Sequence, residues 1–77
     1  MRVNLKTLVD WIQDYQVLAR KADIARTLGW RPSHLRVYYS RAATIDLPKK
    51  ALSGLKRDFF KGSDEAWAEF LADCRDR

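Results

Sequence analysis

The chain is poor in the residue types that build covalent, metal or membrane chemistry. Of its 77 residues one is cysteine, Cys74, so no intramolecular disulfide can form and a reducing compartment is expected. One is histidine, His34, which leaves no metal-ligand cluster and no partnered histidine base. A glycine-rich phosphate loop and a nucleophile paired with a base are both missing, and so small a core has little room for a cavity. Neither an enzyme nor a cofactor or metal is therefore expected. Asp10 and Asp14 interrupt the N-terminal segment early, and no long apolar run follows. A signal peptide or membrane span is not expected, and cytoplasmic residence is. Repeats, low-complexity tracts and flexible linkers are absent as well, so residues 1–77 read as one small domain.

What the chain does have is apolar surface and an uneven distribution of charge. Apolar residues make up 47%, and three Trp, three Tyr and three Phe add large buried area per residue, enough for a packed core. The net charge is +5. From Val17 to Arg57 ten bases meet two acids, a local excess of +8; outside that stretch five bases meet eight acids, a deficit of 3. A basic centre between acidic ends is the electrostatic pattern of a protein that offers one face to a polyanion.

Five helical segments follow from periodicity and punctuation. Asn4 can cap a first helix whose stripe is Leu5, Leu8, Val9, Ile12 and Tyr15, with Trp11 at its edge and Asp10 and Asp14 on a solvated face. Val17 and Leu18 are expected to close the corner to a second helix, Lys21 to Leu28, with Ile24, Ala25 and Leu28 inward. Gly29 stands where that helix must end in a left-handed turn, and Pro32 suits the first turn of a third helix running to Tyr39 or slightly beyond. Leu35 and Tyr38 point back toward Ile24 and Leu28. Arg41 to Leu47 has no clear period and reads as a loop anchored by Ile45 and Leu47, with an extended wing as the alternative. Asp46 and Pro48 introduce a fourth helix with Ala51, Leu52, Leu55 and Phe59 buried and Gly54 packed close to another helix. Gly62 and Ser63 introduce a fifth, 63–76, whose apolar stripe is Trp67, Phe70, Leu71 and Cys74. That stripe must be covered, either by the first helix or by the same helix of a second chain, which makes these four residues the dimer candidates.

The pattern of Ile24, Ala25, Leu28, Gly29, Trp30, Leu35 and Tyr38 over residues 21–40 resembles the helix-turn-helix signature of the phage Cro/cI repressor superfamily. Two positions depart from it: Arg31 stands where Ser or Thr would cap better, and Pro32 stands where a polar base reader is usual. The resemblance implies an all-α, compact five-helix domain of the lambda-repressor-like DNA-binding kind. It further implies a repressor that binds double-stranded palindromic operator DNA as a homodimer. On that resemblance Arg31, Ser33, His34, Arg36, Val37 and Ser40 are the base-reading candidates, with Arg36 first because a guanidinium donates two parallel bonds to guanine. Arg20, Lys21, Arg26, Tyr39, Arg41, Lys49 and Lys50 are the phosphate candidates, with an edge-of-core role as the alternative for Tyr39. A competing expectation is a small module of the same fold that binds and inhibits or adapts a partner protein, using Trp11, Trp30 and Trp67 as an aromatic hot spot.

Overall fold

The computed structural model describes residues 1–75. Along the chain run β1 (Arg2–Asn4), α1 (Leu5–Tyr15), α2 (Lys21–Leu28), α3 (Pro32–Ser40), β2 (Thr44–Asp46), α4 (Lys49–Phe59) and α5 (Asp64–Cys74). The expected all-α class is thus corrected to mostly helical with one small sheet. Within Arg41 to Leu47, expected as a loop with an extended wing as the alternative, Thr44–Asp46 is the extended strand β2, which pairs antiparallel with β1 in the register Arg2↔Asp46, Val3↔Ile45 and Asn4↔Thr44. The ladder is extended by Leu47, whose N–H donates to the Met1 carbonyl at 2.8 Å, and by Leu5, whose N–H donates to that of Ala43 at 2.9 Å. Residue 76, the last of the expected fifth helix, lies outside the described residues.

Local chemistry explains most element ends. The Asn4 side-chain oxygen accepts from the Thr7 N–H at 3.2 Å, and the Ser63 hydroxyl accepts from the Ala66 N–H at 3.2 Å. At α2 the Asp23 carboxylate reaches back to the Arg20 N–H, 3.1 Å away. Helices α2 and α3 close with the same pair of backbone bonds. In the first, Trp30 N–H donates to Ala25 and Gly29 N–H to Arg26. In the second, Ala43 N–H donates to Tyr38 and Ala42 N–H to Tyr39. Such a closure needs one left-handed residue: Gly29 has φ +79°, and Ala42 takes the same role at φ 48°. A Cβ in that region costs about 1–2 kcal/mol. Gly29→Ala is expected to lower stability by that amount and Ala42→Gly to raise it slightly, both read from urea midpoints at unchanged m-value.

The core is formed by Leu5, Leu8, Val9 and Ile12 of α1, Ile24 and Ala25 of α2, and Leu35 of α3, joined by Val3 and Leu47 from the sheet region. Leu55 and Phe59 of α4 with Phe60 complete it on one side, and Ala66, Phe70 and Cys74 of α5 on another. As expected, Gly54 is buried at a close approach: a Cβ there would lie 3.3 Å from Thr27 Cγ2. Two corrections concern apolar residues. Val17 and Leu18 do not close the α1–α2 corner but stand 84% and 92% exposed. The Gln16 side chain donates to the Phe59 carbonyl at 3.0 Å, and the half-buried Ala19 enters the corner in their place. Phe60, absent from the expected stripes, is 2% exposed.

Helix α5 packs on α1 within the same chain. Of the four dimer candidates, Phe70 and Cys74 are thereby buried at 0% and 2% exposure, which removes them from any surface a second chain could meet. Trp67 and Leu71 remain half-buried at the edge. Burial first, and then the nearby Asp73 charge, push the Cys74 thiol up to about 12, so it stays an inert core group.

Candidate functional site

Helix α3 is supported from beneath and open above. Leu35 is fully buried against α1 and α2, while Arg31, Ser33, His34, Arg36, Val37, Ser40 and Arg41 are all exposed. The expected outward face is therefore one continuous surface, but its members are not equally available. The His34 ring packs against those of Trp30 and Tyr38, 4.6 Å from each centroid, and those two rings also meet at 5.5 Å, so a triangle of aromatic rings restrains its orientation. The Ser40 hydroxyl donates back to the Val37 carbonyl at 3.0 Å. Arg31, Ser33, Arg36 and Val37 have no such restraint among the described residues, and Val37 is 46% exposed.

Tyr39 is held inward. Its hydroxyl donates to Asp10 Oδ1 at 2.6 Å, and Asp10 Oδ2 accepts from Lys6 Nζ at 2.7 Å. The Lys6 and Lys21 ammonium groups stand over the Tyr39 ring at 5.3 and 4.6 Å. With its proton committed to Asp10, Tyr39 in this arrangement has no donor for a phosphate, which corrects the phosphate expectation in favour of the edge-of-core alternative. The cluster ties the end of α3 to α1 and the start of α2, fixing the angle at which the outward face is presented.

The same cluster carries a pH dependence. The Lys6 hydrogen bond, then that of Tyr39, holds the Asp10 carboxyl below its ordinary value of 3.8. Its stabilisation is present above that value and is lost as pH falls through the lower folded one. The Asp10 hydrogen bond raises Tyr39 above its ordinary 10.0, so that contribution is present below pH 10 and is lost as pH rises through the raised value. Asp10→Asn is expected to flatten both limbs of the stability–pH profile, checked by urea unfolding at acid, neutral and alkaline pH.

A second group of bases gathers where the end of α2 meets the start of α4. Arg26, Lys50 and Arg57 line an open cleft of about 310 Å³ with Gly29, Pro48 and Gly54. Arg57 is oriented by a bond from its Nε to Asp58 Oδ1 at 3.0 Å, and Asp58 accepts in turn from Thr27 Oγ1 at 2.7 Å. No periodicity reports this placement, because it depends on the α2–α4 approach at Gly54.

The electrostatic balance follows from pairing. The ion pairs of the described residues involve the Met1 ammonium, Lys6, Lys56 and Arg57. Among those residues Arg20, Arg26, Arg31, Arg36, Arg41, Lys49 and Lys50 form none, and all seven are exposed. Lys21, half-buried over Tyr39, is the one phosphate-candidate base restrained by the core. Among the described residues no group of three His, Cys, Asp or Glu is placed to hold a metal ion, and no helix is long and apolar enough to cross a membrane. Comparison with protein-family models, with curated proteins and with solved structures returns no match for this chain.

Proposed function

We propose that the protein is a sequence-specific DNA-binding regulator, most simply a repressor, in which α2 and α3 act as a helix-turn-helix. The observation that carries this reading is that Arg20 and Arg26 at α2, Arg31, Arg36 and Arg41 at α3, and Lys49 and Lys50 at the start of α4 are all exposed and form no ion pair among the described residues. Exposed cations without acidic partners gain from a polyanion, whose condensed counterions they release. Supporting it, α2 and α3 meet through the left-handed Gly29, and α3 lies on a buried Leu35 with its opposite side in water. In such a unit the second helix enters the major groove and its N-terminal residues meet base edges. Arg36 and Arg31 then read guanines, Ser33 a base or phosphate, and Val37 a thymine methyl. Arg20, Lys21, Arg26, Arg41, Lys49 and Lys50, with Arg57 added by the cleft, hold phosphates. One domain of this size buries little on DNA, so a homodimer on a palindrome supplies the affinity.

The test is selection from pooled random duplexes, read by fluorescence anisotropy at low and physiological salt. Enrichment of a palindrome is expected; binding that is sequence-blind and vanishes at physiological salt would defeat the reading. A second reading, a module for a partner protein, draws on Val17 and Leu18, whose side chains are almost wholly in water. An apolar contact there would tolerate salt and be lost in Val17→Ser/Leu18→Ser, while duplex binding would not change.

A further inference from the structure

Beyond the DNA reading, with which it shares Lys49 alone, we infer that the groove between α4 and α5 is a docking site for an acidic amphipathic helix of another protein. The groove encloses about 460 Å³. Leu52 of α4 and Trp67 and Leu71 of α5 supply its apolar lining, all three half-buried, and Lys49, Lys56 and Arg75 supply its cations. Among the described residues no acidic side chain lines it. Of its lining residues, Lys56 pairs with Asp64, 3.4 Å away and almost fully exposed, and the Met1 ammonium pairs with Asp46, also at 3.4 Å.

The sequence builds this groove. Trp67 and Leu71, four residues apart, form one row along the edge of α5 beside the inward row of Phe70 and Cys74, and Arg75, extended just past the helix end and bridged to Val3, lines the same groove. Helix α4 turns Leu55 and Phe59 into the core and leaves Leu52 at the margin, with Lys49 and Lys56 one turn away on either side. The outcome is an apolar trough with a basic rim. A helix with apolar residues at i, i+3 or i+4, and i+7 fills such a trough, and carboxylates flanking those residues meet the lysines and Arg75.

A second copy of the chain is a poor occupant. The outward side of α5 offers Glu65, Ala68, Glu69 and Ala72, acids without a large apolar side chain to fill the trough. The exposed apolar tip at Val17 and Leu18 is followed by Arg20 and Lys21, which would bring like charge to the rim. Neither α4 nor α5 packs extensively on α3, so an occupied groove leaves the outward face of α3 open.

The three tryptophans are built-in reporters. Trp67 lines the groove, Trp30 packs beside α3, and Trp11 donates its indole N–H to Asp73 at 2.8 Å and lies beside Tyr15. The experiment titrates the full chain, observed by ¹H–¹⁵N NMR, with three designed helical peptides. One carries leucines at i, i+4 and i+7 flanked by glutamates, the second replaces the glutamates by lysines, and the third replaces the leucines by alanines. The expected result is saturable shifts of the Trp67 indole and of Leu52, Leu71 and Arg75 amides with the first peptide alone, weakening as salt rises to about 0.3 M. Lys56→Glu/Arg75→Glu, both at exposed residues, is expected to weaken binding about tenfold while the free protein keeps a folded spectrum, with shifts confined to the neighbours of the two substituted residues and of Asp64. The inference is overturned if the lysine peptide binds as well, if the shifts fall on Trp30 or on the Tyr15–Leu18 tip, if the double variant binds unchanged, or if no shift appears at millimolar peptide. It is equally overturned if sedimentation shows the free chain already self-associated through residues of this groove.

Discussion

On the proposed DNA reading, Arg36→Ala is expected to lower affinity for the selected duplex by about 1–3 kcal/mol, roughly 5- to 150-fold, and affinity for an unrelated duplex far less. The residue is exposed on α3 and, among the described residues, has no ion-pair partner, so its removal leaves the fold within about 0.5 kcal/mol of wild type. A guanidinium facing O6 and N7 of guanine loses two directional bonds on truncation, a loss specific to that base pair. A guanidinium on a phosphate loses a charge that every sequence would miss, and the salt slope falls by about one for all duplexes alike. Anisotropy titrations of selected and unrelated duplexes at several salt concentrations separate the two. Equal losses on both would move Arg36 from the base readers to the phosphate contacts, and no loss on either would remove α3 from the interface.

The largest effect on stability is expected at Phe60, where Phe60→Ala costs about 3–5 kcal/mol. Its ring is stacked on Tyr15 at 5.2 Å and lies 5.6 Å from Trp11, 5.1 Å from Trp67 and 4.9 Å from Phe70. The ring joins α1 to α5 just past the end of α4, so its loss opens a space that three elements line and none can fill without moving. A domain of this length has about 4–12 kcal/mol in total, so the variant forfeits a large part of it. Chemical denaturation followed by tryptophan fluorescence reads the effect, and the native near-ultraviolet circular dichroism should weaken with it, because two of the three indoles border that ring. A loss below about 1 kcal/mol would show that the aromatic cluster closes over the gap.

Phe60 also marks the boundary of what the sequence reveals. It follows Phe59 directly, and a helical stripe admits one of two adjacent residues; the helix ends at Phe59, so Phe60 turns to a different neighbour. The end of α3 was indistinct for a comparable reason: the left-handed closure that glycine announces at residue 29 is performed at 42 by alanine, which carries no such signal. The strands Arg2–Asn4 and Thr44–Asp46 are each too short to show alternation, and their pairing depends on where α1 and α3 have placed their ends. Tyr39 gave no hint of Asp10, because they meet only once α3 lies across α1.

By itself the sequence determined the five helices, the caps at Asn4 and Ser63, the turn at Gly29, and an outward α3 face rich in bases, because caps, periodicity and charge act within a few residues along the chain. Only the tertiary structure decided the sheet, the exposure of Val17 and Leu18, the burial of Phe70 and Cys74 within one chain, the inward turn of Tyr39 and the groove beside Trp67. Each of those depends on which distant surfaces meet when the helices pack, and packing is a property of the whole core that no local window of residues contains.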